Sequence, residues 1–65
     1  MIGGNIKKFR KKNKITQDKL ARLADISYTS ITKIETGVIK KPSIQTVAKI
    51  ARALGVSVDE LIEGI

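Results

Sequence analysis

Residues 16–37 read TQDKLARLADISYTSITKIETG, and the fold turns on this stretch. Thr16 can cap a helix starting at Gln17, with Ile15 just before the cap and Leu20 four residues after it. Ser27 repeats the device with Ile26 before it and Ile31 after. A polar cap flanked by an apolar pair of this spacing is a hydrophobic staple, which fixes where a helix begins. The spacing predicts helices over 17–24 and 28–36, joined by only Asp25, Ile26 and Ser27. A linker that short forbids antiparallel packing along the helix length and sets the pair at a steep angle. Leu20, Ala21, Leu23 and Ala24 are expected to face inward, beside Ile31 and Ile34. Small Ala21 and Ala24 let the two helices come close.

The signals outside this segment are also helical. Ser57 repeats the staple with Val56 and Leu61, and Glu60 completes a capping box. Ser43 follows Pro42, where a preceding helix is discouraged from continuing. Gly37, Gly55 and Gly64 stand where left-handed C-terminal caps are expected. Ile2, Ile6 and Phe9 recur at helical spacing, as do Val47, Ile50, Ala51 and Leu54. No stretch sustains a period of two. The expected architecture is all-α: one domain over residues 1–65, with further helices near 3–13, 44–54 and 58–63.

Composition narrows the chemistry. A chain of 65 residues buries only roughly 60% of the surface its unfolded form exposes, so its core is thin. There is no cysteine and no histidine, which removes disulfides and the usual zinc and haem ligands. With few carboxylates besides, no nucleophile–base or metal constellation can be assembled, so neither an enzyme nor a cofactor is expected. Phe9 and Tyr28 are the only aromatic residues, too few for a platform that stacks single-stranded bases. No apolar run exceeds two residues and no signal-peptide pattern opens the chain, so a cytoplasmic protein without a membrane span is expected.

Thirteen Lys and Arg against six Asp and Glu give a net charge of +7, and the charge is segregated. Residues 1–14 carry Lys7, Lys8, Arg10, Lys11, Lys12 and Lys14 without an acid, and residues 37–52 carry Lys40, Lys41, Lys49 and Arg52 without one. Asp59, Glu60 and Glu63 make the tail acidic. Two basic blocks around a neutral middle suit a surface that grips an anionic backbone on both sides of a reading element. Between them, the helix over 28–36 presents Tyr28, Thr29, Thr32, Lys33 and Thr36 outward, at offsets 0, 1, 4, 5 and 8. Its one acid, Glu35, falls off that set. Such a face can be merely solvated. In a major groove, Lys33 would reach guanine acceptors while Thr29 and Thr32 met base edges or thymine methyls.

Taken together, Arg10, Ile15-Thr16-Gln17, Leu20-Ala21, Ile31, Ile34-Glu35-Thr36-Gly37, Pro42-Ser43 and Ala51-Arg52-Ala53-Leu54-Gly55-Val56-Ser57-Val58-Asp59-Glu60-Leu61 resemble the lambdoid phage repressor and Cro (XRE-type) family. These are helix-turn-helix DNA-binding domains, and the resemblance covers residues 5–63. It implies a lambda-repressor-like fold whose third helix enters the major groove. By that likeness Tyr28, Thr29, Thr32 and Lys33 are the base readers. Gln17 and Ser27 at helix starts, with Lys40 and Lys41 in the following loop, are the phosphate contacts. A helix N-terminus favours an anion in its own right. Arg10 and Glu35 match a pair that bridges the first and third helices. Asp25 departs from the family, which usually has glycine in the turn; a left-handed residue there costs on the order of 1 kcal/mol.

The implied target is double-stranded DNA, as a pseudo-palindromic operator bound by two copies about 34 Å apart. Val58, Ile62 and Ile65 are the candidate dimer contacts, and self-association is expected to be weak. The expected function is sequence-specific DNA binding by a transcriptional regulator, a repressor in the pattern of the family. A protein-interaction module on the same fold, working through the acidic and apolar C-terminus, is the second reading. A basic peptide on a membrane surface is the third, and it fails because the apolar faces are needed for the core. No small-molecule ligand is implied.

Overall fold

Four of the helices start where a hydroxyl takes up a free backbone N–H. In the computed structural model, which describes residues 1–64, Thr16, Ser27, Ser43 and Ser57 each accept a hydrogen bond from the N–H three residues on, at 3.0–3.2 Å. Ser57 and Glu60 close a reciprocal capping box, the Ser57 N–H donating to Glu60 Oε1 at 3.0 Å. The resulting elements are α1 (Ile2–Lys12), α2 (Gln17–Ala24), α3 (Tyr28–Glu35), α4 (Ile44–Leu54) and α5 (Val58–Glu63). α1 starts and ends one residue earlier than expected from its periodicity, and α3 ends one residue earlier, with Thr36 as its C-cap. Among the described residues no strand occurs and no helix is long and apolar enough to cross a membrane.

The helix ends carry the information the turns need. Asp25 adopts the left-handed conformation (φ 57°, ψ 47°) that the departure from glycine implied. Its N–H donates to the Arg22 carbonyl and that of Ile26 to Ala21, the paired bonds of a Schellman motif. Lys14 does the same after α1, unexpectedly. It sits at φ 59°, its N–H on Lys11 and that of Ile15 on Arg10.

The core forms where the five helices meet. Ile6, Leu20, Ile31, Ile34, Ile50 and Leu61 are almost fully enclosed, with Phe9, Ala21, Ala24, Val47, Ala51 and Leu54 around them. α2 packs on α3 and α4, and α1 packs on α3 and α5. Leu23 corrects the sequence reading, because it is 52% exposed. At 3.6 residues per turn, Leu20, Ala21 and Ala24 share an arc whose centre lies about 100° from Leu23. Ile2 is half-buried against the core and not enclosed.

Three contacts draw α1 in. Gly3 is buried where a Cβ would run into the carbonyl oxygen of Ile34, so α1 can approach the end of α3 only with glycine there. At its other face, Asn5 Nδ2 donates to the carbonyl of Leu61 at 2.6 Å, and Lys8 Nζ to that of Gly64 at 2.6 Å. Both satisfy carbonyls that the short α5 leaves unpaired.

Candidate nucleic-acid interface

The site begins with what α3 hides. Glu35 is the helix's one acid, and its side chain is 2% exposed. Arg10 Nε–H donates to Oε2 at 2.8 Å and Nη2–H to Oε1 at 3.1 Å, a two-bond fork across α1 and α3. The third guanidinium nitrogen, Nη1, donates to the Ile15 carbonyl at 3.0 Å. Gln17 Nε2 gives a further bond to Glu35 Oε1 at 3.1 Å. One carboxylate therefore ties together α1, the loop before α2, α2 and α3. Its charge is neutralised inside the protein and points away from the outer face.

That outer face is free of acid. Tyr28, Thr29, Lys33 and Thr36 are exposed and Thr32 is half-buried, so the structure brings the expected readers together on one side of α3. Thr32 Oγ1–H donates to the Thr29 carbonyl at 2.8 Å and Thr36 Oγ1–H to the Thr32 carbonyl at 2.8 Å. Lys33 forms no ion pair among the described residues and extends a free ammonium from this face.

The loop after α3 is held close to it. Gly37 takes φ 87°, and the Ile39 N–H returns to the Lys33 carbonyl at 2.9 Å. Ile39 packs against the core, leaving Lys40 and Lys41 exposed on the stretch that leads to α4. Val38 in the same loop is 72% exposed, and sequence reasoning passed over it. Amphipathic spacing is informative only inside a helix, so a loop valine gives no such signal.

Two proposed phosphate contacts have other partners in this state. Gln17 spends one amide hydrogen on Glu35 and so braces α3, keeping the second hydrogen and its place at the start of α2. Ser27 Oγ accepts the Ser30 N–H at 3.1 Å and donates to Ser30 Oγ at 2.8 Å, so its hydroxyl serves the α3 cap. Arg22 is paired with Asp18 at 2.6 Å, and that carboxylate holds the guanidinium above its ordinary pKa. Lys8 lies with its ammonium 5.3 Å from the Phe9 ring centre and is tied to the end of α5. Of the dimer candidates, Val58 packs against the core, Ile62 is 56% exposed, and Ile65 lies outside the described residues.

A closely linked pair of packed helices, a left-handed turn and a polar outer helix are the elements of one known motif, and a helix-turn-helix family profile matches residues 6–61. The chain belongs to that family. This helix-turn-helix domain is 35% identical over 63 residues to the HTH-type transcriptional regulator SinR of Bacillus subtilis, covering 97% of this chain and 57% of that protein. It thus spans little more than half the length of that relative. Its fold is similar to the crystal structure of SinR, master regulator for biofilm formation, in complex with DNA. The TM-score is 0.92 at 35% identity, covering 95% of this chain and 98% of that one. The DNA-binding domain of the P22 C2 repressor, solved by nuclear magnetic resonance, gives 0.89 at 28% identity, covering 98% of this chain and 83% of that one. The lambda-repressor-like, all-helical architecture expected from the sequence is the one observed.

Proposed function

We propose that this domain binds double-stranded DNA sequence-specifically and serves a transcriptional regulator, with α3 in the major groove. The observation that carries this reading is the acid-free outer face of α3, cleared by the withdrawal of Glu35 to Arg10. A carboxylate left on that face would repel phosphate and could pair only with the amines of adenine or cytosine. Tyr28, Thr29, Thr32 and Lys33 contact base edges. Lys40 and Lys41 grip backbone phosphates, assisted by the start of α2 at Gln17 and the backbone of Ser27. The likeness to SinR, solved on DNA, and to the P22 C2 repressor supports the assignment.

Two copies fill one operator. The Cα extents are 23 × 23 × 19 Å, short of the roughly 34 Å between successive major-groove half-sites, so one domain reads one half-site. A groove of about 390 Å³ lined by Met1, Ile2, Pro42, Ile44, Val47 and Ile62, with Lys40 and Lys41, is the surface for the second copy. Ile62 stands beside exposed Asp59 and Glu63, and those lysines carry the complementary charge.

Selection from a random duplex library at near-physiological salt tests the reading. An enriched inverted repeat supports paired binding, and a single enriched half-site supports base reading by one copy. Binding without enrichment that vanishes as salt rises leaves only charge-driven attraction and rejects the proposal.

A further inference from the structure

The outer hydroxyls of α3 do not all offer the same chemistry. A threonine hydroxyl has one proton and two lone pairs. In Thr32 the proton is committed to the Thr29 carbonyl, and in Thr36 to the Thr32 carbonyl, each at 2.8 Å. Back-bonding of this kind fixes one of the two rotamers that threonine adopts in a helix, and releasing it forfeits a formed hydrogen bond. What remains for a ligand is an acceptor. Thr29 makes no such bond among the described residues, so its hydroxyl keeps both roles. Lys33, the residue after Thr32, is a donor only.

The major groove offers few donors to meet an acceptor. Guanine presents N7 and O6, and thymine presents O4 and a methyl group. Only the N6 amine of adenine and the N4 amine of cytosine donate. A phosphate presents acceptors alone. Resting on the placement of α3 in the major groove, we infer that Thr32 is a specificity residue for an exocyclic amine. It selects adenine or cytosine and takes no part in holding phosphate. Lys33 selects guanine acceptors at a neighbouring position. Polarity is thus divided along the helix, with acceptor and donor on adjacent residues.

The test compares random-duplex selection by the wild type, Thr32→Val and Thr32→Ser. Valine keeps the shape and the methyl but loses the acceptor, whereas serine keeps the hydroxyl and loses the methyl. The wild type enriches adenine or cytosine at one half-site position. Thr32→Val lowers that preference about fivefold, the factor of one net hydrogen bond, and Thr32→Ser retains it. Replacing that adenine by purine, or that cytosine by 2-pyrimidinone, deletes the amine. It costs the wild type the same factor and costs Thr32→Val nothing further. Thr32→Ala, which also removes the acceptor, takes the place of the valine variant in both measurements should that variant lose its fold. A preference that survives in Thr32→Val, or one lost in Thr32→Ser, overturns the inference while leaving base reading by α3 intact. A wild type without any preference overturns both.

Discussion

α3 has two sides that treat charge in opposite ways. Inward, Glu35 receives three hydrogen bonds from Arg10 and Gln17 and its side chain is 2% exposed. Outward, Lys33 and the loop residues Lys40 and Lys41 are exposed and hold no ion pair among the described residues. A buried charge is tolerated only when fully partnered, so the inner side is organised for rigidity. An unpartnered exposed charge costs little in the free protein and remains available to a polyanion. Substitutions on the inner side should therefore be read in folding, and those on the outer side in binding.

The largest effect is expected at the inner side. Arg10→Ala leaves Glu35 buried with Gln17 as its only remaining donor, and loss of one member of a buried pair costs about 3 kcal/mol or more. A domain of this size loses roughly 4–8 °C per kcal/mol, so thermal denaturation should show a fall of about 12 °C or more. An unchanged melting temperature would mean that the fork does not hold α1 to α3.

Gly3→Ala comes next. A Cβ at this position meets the Ile34 carbonyl oxygen, which is backbone and cannot swing aside. Overpacking of this kind costs about 1–3 kcal/mol, measurable by urea denaturation. Gly4→Ala is the control, because nothing lies within 4 Å of a Cβ there. That variant should be neutral or slightly stabilising, alanine being the better helix former.

The outer side should reverse the pattern. Lys33→Ala is expected to leave the melting temperature unchanged and to cost about 1–3 kcal/mol on the selected site, with specificity relaxed at one position. Lys41→Ala should weaken cognate and random duplex alike and reduce the slope of log K against log salt by about 1. Titrations on both duplexes at several salt concentrations separate the two. Equal loss on both for Lys33→Ala would move that residue from base reading to phosphate contact.

The smallest effects concern the left-handed residues. Lys14→Gly and Asp25→Gly each relieve a non-glycine side chain at positive φ, at 59° and 57°. Each should stabilise by about 1 kcal/mol or less, because the steric relief is offset by glycine's greater chain entropy. Lys14→Gly should gain more, since aspartate tolerates this conformation better than lysine does. Melting temperatures measured side by side would rank the pair, and a loss of stability in both would show that these side chains compensate for their own strain.

How much of this was legible depended on the range of the interaction. The starts of α2, α3 and α5 were readable because a cap and its staple lie within six residues, that of α4 because Ser43 follows Pro42, and the structure places all four caps as expected. The left-handed turn at Asp25 was implied by the resemblance to a family that usually has glycine at that position. Lys14 was not readable, because the turn former in that run is Asn13, whereas the left-handed residue falls one position later, where the passage from α1 into the Thr16 cap sets the backbone. Leu23 was misplaced because three apolar neighbours made its side of α2 look continuous with the core.

Local hydrogen-bonding and apolar spacing, present in the sequence by itself, thus determined five helices, their order and the polar face of α3. Tertiary structure alone decided that Gly3 is a point of contact, that Gln17 spends an amide hydrogen on Glu35, and that Ile62 meets Met1, Ile2 and Ile44 at one groove. It also decided that Lys8 belongs to the end of α5. Those pairings join residues far apart in the chain. They exist only once the helices have packed, when distance in space no longer follows distance in sequence.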